Sequence, residues 1–149
     1  MRIEDAIQQK EFKDPYHKAV VNLLYTQSYI VSKQSVLFKP HGISPEQYNV
    51  LRILKGQNGN PITVSSIQER MLNKMSNASR LVEKLKQKEM VLREECPQDR
   101  RQVDVRITAK GIDVLQQIEN EIVHHNTELI QLTEDEVHLL NNLLDKLRG

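Results

Sequence analysis

The sequence predicts a mainly α fold of the α+β kind, and three observations carry that expectation. Apolar residues recur at helical spacing over most of the chain. Between Asn73 and Thr108, a helix expected over Lys74–Lys88 runs directly into two short strands. The strands are joined by the loop Cys96-Pro97-Gln98-Asp99-Arg100-Arg101. A tight helix pair followed by a hairpin with two arginines at its tip is the layout of a winged helix-turn-helix, the small β-hairpin being the wing.

From Pro15 to about Lys39 the pattern is helical, with Val20, Leu23, Leu24, Gln27 and Val31 near one face. Pro40-His41-Gly42 ends this helix. Ser44-Pro45-Glu46-Gln47 then combines a cap, a proline suited to the first helical position and a glutamine placed for a capping box. Tyr48, Leu51 and Leu54 supply its inward stripe, and Gly56 to Pro61 is a turn-rich break. Thr63 caps a short helix from Val64 to Met71 that buries Val64, Ile67 and Met71 or Leu72. Asn73 or Ser76 caps the next, whose Ala78, Leu81, Val82 and Leu85 follow the i, i+3, i+4, i+7 pattern. Val91 and Leu92 open a strand, and Val103, Val105 and Ile107 alternate with polar residues along a second. Thr108 caps a long helix striped by Leu115, Ile118, Ile122, His125 and Leu129. Thr133 to Glu136 forms a second capping box before a last helix. Its leucines spread over roughly 160°, enough to pack both on its own chain and on a second copy.

With 149 residues the chain suits one domain, or one domain with an appended oligomerisation element. One cysteine excludes an internal disulfide and a cysteine-based zinc knuckle. No signal peptide and no membrane-spanning run is evident, so a cytoplasmic location is expected. Net charge is +1, yet its distribution is uneven. Residues 62–111 carry 11 Lys and Arg against 7 Asp and Glu, whereas residues 112–149 carry 2 against 8. A basic body beside an acidic tail fits a phosphate-binding module next to a segment that stays off nucleic acid, although ordinary surface charge also produces such unevenness. Gly-rich phosphate loops, nucleophile–base pairs and clustered carboxylates are missing from the pattern, so no catalytic residue, cofactor or metal is expected and the chain is not read as an enzyme.

Residues 44–111 resemble the MarR family of bacterial transcription regulators. The resemblance is carried by Ser44-Pro45-Glu46-Gln47-Tyr48 with Leu51 and Leu54, by Ser79-Arg80-Leu81-Val82-Glu83-Lys84-Leu85, by Met90-Val91, and by Pro97-Gln98-Asp99-Arg100-Arg101 followed by Ile107-Thr108-Ala109-Lys110-Gly111. It implies a single chain (1–149) with a DNA-binding lobe over 44–111 and a helical dimerisation region formed by 1–39 and 112–149. It also implies a triangular homodimer that represses genes and is released by a small aromatic or lipophilic acid. A two-fold protein selects a near-palindromic operator on double-stranded DNA. The alternative is a winged-helix protein-interaction module without DNA binding, which an acidic or apolar wing would have favoured.

The residues themselves nominate a DNA surface. With Ala78 at the centre of the buried stripe, Ser76, Arg80, Glu83, Lys84 and Gln87 face outward. Ser76, Asn77, Ser79 and Arg80 occupy the first turns, where base edges are read; Arg80 suits guanine and Asn77 adenine. Lys84 suits phosphate. Glu83 is awkward there unless it pairs with Lys84 or Arg80, or accepts from cytosine. Asp99 can hold one wing arginine, leaving the other of Arg100 and Arg101 for phosphate or a narrow minor groove; a solvated turn is the bland alternative. Thr63, Ser65 and Ser66 can hold a phosphate or simply cap their helix.

All six aromatic residues fall between Phe12 and Tyr48. In the resembled family a ligand crevice lies between the dimer helices and the DNA-binding lobe. Tyr25, Tyr29, His41 and Tyr48, with Arg52 for a carboxylate, are the candidates for it; filling the core is the alternative role. Some relatives sense peroxide through a first-helix cysteine, but here the only cysteine is Cys96, at the base of the wing. His125 on the apolar stripe reads as an interface histidine rather than a ligand.

Overall fold

The computed structural model describes residues 1–149, with the side chain of Arg100 outside the described residues. Helices α1 (Ile3–Ala6) and α2 (Pro15–Phe38) lead through a 3-10 turn at Lys39–His41 into α3 (Pro45–Lys55). Strand β1 (Ile62–Thr63), helices α4 (Val64–Arg70) and α5 (Ala78–Gln87), and strands β2 (Val91–Cys96) and β3 (Asp99–Ile107) follow. Helices α6 (Ala109–Leu129) and α7 (Glu134–Arg148) complete the chain. The sheet is antiparallel, ordered β1-β3-β2, with Ile62 opposite Val105 and Val105 opposite Arg93.

The caps form as their residue types require. The Ser44 hydroxyl accepts from the Gln47 N–H while the Gln47 side chain accepts from the Ser44 N–H. Thr63, Thr108 and Thr133 accept from the N–H three residues on. Each cap contributes about 1 kcal/mol by satisfying a backbone donor the helix leaves free.

Two boundaries differ from expectation. Helix α5 begins at Ala78, capped by Asn77 instead of Asn73 or Ser76, because Asn73 is spent on a local turn: its side chain accepts from Met75 N–H and its carbonyl from Ser76 N–H. The wing turn is only Pro97-Gln98, so Arg100 and Arg101 belong to β3 and do not form the tip. Strand β1 was not foreseen; two residues cannot display alternation, and their pairing depends on a strand about forty residues away.

Val50, Leu51, Leu54, Ile67, Val82, Leu85, Val105, Leu115 and Ile118 form one core linking α3 to α6. Full burial of such side chains stabilises by about 1.5–3 kcal/mol each relative to exposure. Met71 is buried and Leu72 exposed, which resolves the sequence's either-or. The last helix departs most from expectation. None of its residues is fully buried, and Leu139, Leu140, Leu143 and Leu147 are exposed. Val20 and Leu24 of α2 are exposed as well.

The exit from α5 is a Schellman motif: Met90 N–H donates to the Leu85 carbonyl and Glu89 N–H to that of Lys86. Glu89 sits there at φ +61°, a left-handed conformation that crowds a Cβ. Glu89→Gly is therefore expected to raise stability by about 0.5–1 kcal/mol, the relief of strain exceeding glycine's greater unfolded freedom. Chemical denaturation at fixed protein concentration checks this; a lower midpoint would show that Glu89 is unstrained.

Candidate nucleic-acid interface

Helix α5 is held by polar contacts at both ends. At its start, Asn77 Oδ1 accepts from Arg80 N–H at 3.1 Å and Gln68 Oε1, from α4, accepts from Ala78 N–H at 2.9 Å. Gln68 Nε2 also donates to the Lys74 carbonyl, so one side chain ties α4, the turn and α5 together. At its end, Lys88 Nζ donates to the Gly42 carbonyl and, at 2.9 Å, to Gln47 Oε1. Burial pushes the Lys88 ammonium below its ordinary value, and the charge of Lys84 adds to that shift.

The outward side of α5 borders a cleft of about 470 Å³ lined by Asn77, Ser79, Arg80, Glu83, Lys84, Gln87 and Arg93. A second cleft of about 400 Å³ lies between the start of α4 and the wing, with Thr63, Ser65, Ser79, Arg93, Asp99, Arg101 and Gln102 on its walls. Ser79 and Arg93 line both, so the two clefts meet at these residues. Strand β1 produces this arrangement: pairing with β3 brings Thr63 and the following turn of α4 beside the wing.

Arg93 was not singled out from sequence. Its guanidinium bonds Glu83 at 3.1 Å, which answers the question posed by a carboxylate on this face. The partner is neither Lys84 nor Arg80 but an arginine on β2. Two residues ten positions apart on different elements leave no periodic trace; the only sequence clue was an unmatched carboxylate on a surface suited to phosphate. Among the described residues, Arg80, Lys84 and Arg101 make no ion pair, so their charges are available to a polyanion.

Other expected site residues are placed differently. Ser76 does not project outward: it is half-buried, with its hydroxyl enclosed and unpartnered. Asp99 accepts from the backbone N–H of Arg101 at 3.0 Å, and no ion pair joins it to the Arg101 guanidinium. The expected role of the Arg100 side chain lies outside the described residues. Thr63 uses its hydroxyl oxygen to cap α4, while Ser65 is exposed.

The effector candidates divide into two groups. Tyr48 stacks on Phe38 at 4.7 Å, and burial pushes its hydroxyl up from the ordinary value. Arg52 does not stand free for a carboxylate ligand, because it and Lys55 both bond Glu119 of α6, the Lys55 contact being 2.6 Å. His41 approaches Glu121 at 3.6 Å. His41, Tyr48 and Arg52 thus gather along the α3–α6 seam. Tyr25 and Tyr29 lie further back on α2, with Tyr29 roughly 14 Å from Phe38 along the helix axis, and both are exposed.

Lys55 first, then Arg52, hold the Glu119 carboxyl below its ordinary 4.5 despite some burial. Because the folded state binds this proton less readily than the unfolded chain, the contribution is present above about pH 4.5 and fades as pH falls through the lowered value. The partners are half-exposed, so the contact contributes under about 1 kcal/mol. Glu119→Gln is expected to cost that much at pH 7 and progressively less as the pH is lowered below about 4.5, tested by urea unfolding over a pH series; a cost independent of pH would show a packing role instead.

A tight helix pair, a second helix held by its ends and an adjoining wing that carries Arg100 and Arg101 define a winged helix-turn-helix protein of the DNA-binding class. The sequence pattern of the MarR family matches residues 43–103. The HTH-type transcriptional regulator MhqR of Bacillus subtilis (strain 168) is 32% identical over 108 residues, covering 72% of this chain and 73% of that protein. The crystal structure of a MarR transcription factor from Planctomyces limnophilus superposes with a TM-score of 0.70 at 26% identity, over 91% of this chain and 98% of that one. The organohalide-sensing transcriptional regulator RdhR, in its 2,4-dichlorophenol-bound form, shares the fold with a TM-score of 0.83 at 19% identity, over 94% and 85% of the two chains. The chain belongs to the MarR family and is a DNA-binding transcription regulator. No helix among the described residues is long and apolar enough to cross a membrane.

Proposed function

We propose that the protein is a homodimeric repressor whose two α5 helices and wings grip one near-palindromic operator. The observation that carries this is the joining of the two clefts at Ser79 and Arg93, which gives each protomer one continuous surface from α5 to the wing. On it, Arg80, with Asn77 and Ser79, reads base edges in the major groove. Lys84, with Thr63 and Ser65, meets phosphate, and Arg100 and Arg101 extend the contact along the wing. Dimerisation is supported by apolar surface that a lone protomer leaves in water. Leu139, Leu143 and Leu147 on α7, and Tyr16, Val20 and Leu24 on α2, are all more than half exposed. On this reading the DNA-binding lobe is 44–111 and the dimer contact lies in 1–39 and 112–149.

Gel-shift of the full chain with DNA from upstream of its own gene, together with sedimentation, tests this reading. The expected results are a species of twice 17.3 kDa and one shifted band, with protected half-sites about one duplex turn apart or a multiple of that. A monomer at micromolar concentration, or no preference over random duplex, would overturn it.

A small-molecule effector is part of the same proposal. The seam of His41, Tyr48 and Arg52 joins α3 to α6, so a ligand there would act on the angle between the lobe and the dimer helices. Its support is the fold shared with RdhR, which was crystallised with 2,4-dichlorophenol. Because Arg52 is engaged by Glu119, a phenol fits the seam better than a carboxylate that must break that pair. Titration calorimetry with chlorophenols and salicylate compares the two.

The Glu83–Arg93 pair yields a further expectation. Arg93→Ala leaves the Glu83 carboxylate unopposed toward phosphate and is expected to weaken DNA binding by about tenfold. Glu83→Gln frees Arg93 and should bind at least as tightly, with a salt slope steeper by about one. Anisotropy titrations over a salt series separate these outcomes; equal losses in both variants would mean the pair serves only folding.

A further inference from the structure

The turn between α4 and α5 carries two large apolar side chains that no part of the chain covers, Leu72 at 88% and Met75 at 91% exposure. Single exposed apolar residues are ordinary. Two within four positions are less so here, because the turn that presents them is clamped. Leu72 N–H donates to Asn49 Oδ1 at 2.9 Å, Met75 N–H to Asn73 Oδ1 at 3.0 Å, and Ser76 N–H to the Asn73 carbonyl at 3.1 Å. Gln68 fixes the same turn to the first residue of α5. The backbone is therefore held while the apolar side chains point to solvent, two residues ahead of Asn77 in the case of Met75.

We propose that Leu72 and Met75 cover thymine C5-methyl groups in the major groove, making the turn a specificity element for A·T pairs beside the bases read by α5. The inference rests on the proposed DNA surface and extends it. Three considerations favour duplex DNA as the occupant. The turn is continuous in chain with the start of α5, the part of a recognition helix that meets base edges. Lys74, whose ammonium also donates to the Glu69 carbonyl, lies within the turn and Arg80 follows it, both suited to a polyanion. The thymine methyl is the apolar feature of the major-groove floor and takes contacts from apolar side chains.

The test begins with duplexes selected by the wild-type protein from a random pool. Binding of wild type and the Leu72→Ala/Met75→Ala variant is then measured on the selected duplex and on the same duplex with each thymine replaced by deoxyuridine. Wild type is expected to lose about fourfold per methyl group covered. The variant should bind the thymine duplex more weakly and be indifferent to the replacement, and reselection with it should relax the thymine preference. Because both side chains are almost wholly exposed, its thermal midpoint should match wild type; if it does not, Met75→Gln replaces it as the test variant. Equal sensitivity of wild type and variant to deoxyuridine overturns the inference while leaving the DNA surface standing. So does a variant that changes oligomeric state with unchanged sequence preference, which would mark the turn as a protein contact. Failure of the wild type to select any duplex overturns both.

Discussion

Alanine at both Arg100 and Arg101 is expected to cost about 1–3 kcal/mol per residue in affinity for a specific duplex and to lower the salt slope by roughly two. The argument begins with charge. Arg101 stands near the start of β3, and Asp99 does not neutralise it, since Asp99 accepts that residue's backbone N–H and makes no ion pair with its guanidinium. That contact orders the backbone and leaves the Arg101 guanidinium exposed on the wall of the second cleft. A phosphate or a narrow minor groove supplies the missing counter-charge. Anisotropy titrations between about 50 and 200 mM salt measure affinity and slope together. Unchanged affinity at the upper concentration would remove the wing from the mechanism.

The largest expected effect on stability is at Gly111. A Cβ there would stand 2.3 Å from the Met90 carbonyl oxygen and 2.8 Å from Ile107 Cγ1. The carbonyl cannot step aside freely, because it accepts the Thr108 N–H at 3.0 Å. Thr108 is fixed in turn, capping α6 through Gly111 N–H and donating its hydroxyl to the Glu89 carbonyl at 2.7 Å. The Thr-x-x-Gly spacing therefore locks the base of the wing, the exit of α5 and the start of α6 into one joint. Gly111→Ala is expected to destabilise by about 3 kcal/mol, lowering the thermal midpoint by roughly 6–12 °C at constant protein concentration. It should also weaken DNA binding, since the wing and α5 share this joint. A midpoint within about 2 °C of wild type would show that the joint yields cheaply.

The elements legible in the sequence were those whose causes are local. Ser44 and Gln47 cap α3, Thr133 and Glu136 cap α7, and Val103, Val105 and Ile107 alternate along β3, each from residues within one or two turns of one another. The start of α5 was placed too early because several polar residues in a row can each cap. Only the competing turn at Asn73 and the reach of Gln68 to Ala78 N–H select Asn77. Within the candidate interface, Arg80, Lys84 and Arg101 could be nominated by residue type and position. Ser76 was misjudged by helical projection because it precedes the helix.

What the sequence determined by itself was the order and kind of the elements other than α1 and β1, the period of each buried face, and the family, since caps, turns and amphipathic stripes are short-range chemistry. The tertiary structure alone decided the pairing of Glu83 with Arg93, the capture of Arg52 by Glu119, the strand that brings Thr63 to the wing, and the exposure of Leu72, Met75 and the α7 leucines. Each depends on which distant surfaces meet, and an ion pair or an uncovered methyl group carries no periodicity along the chain that could announce it beforehand.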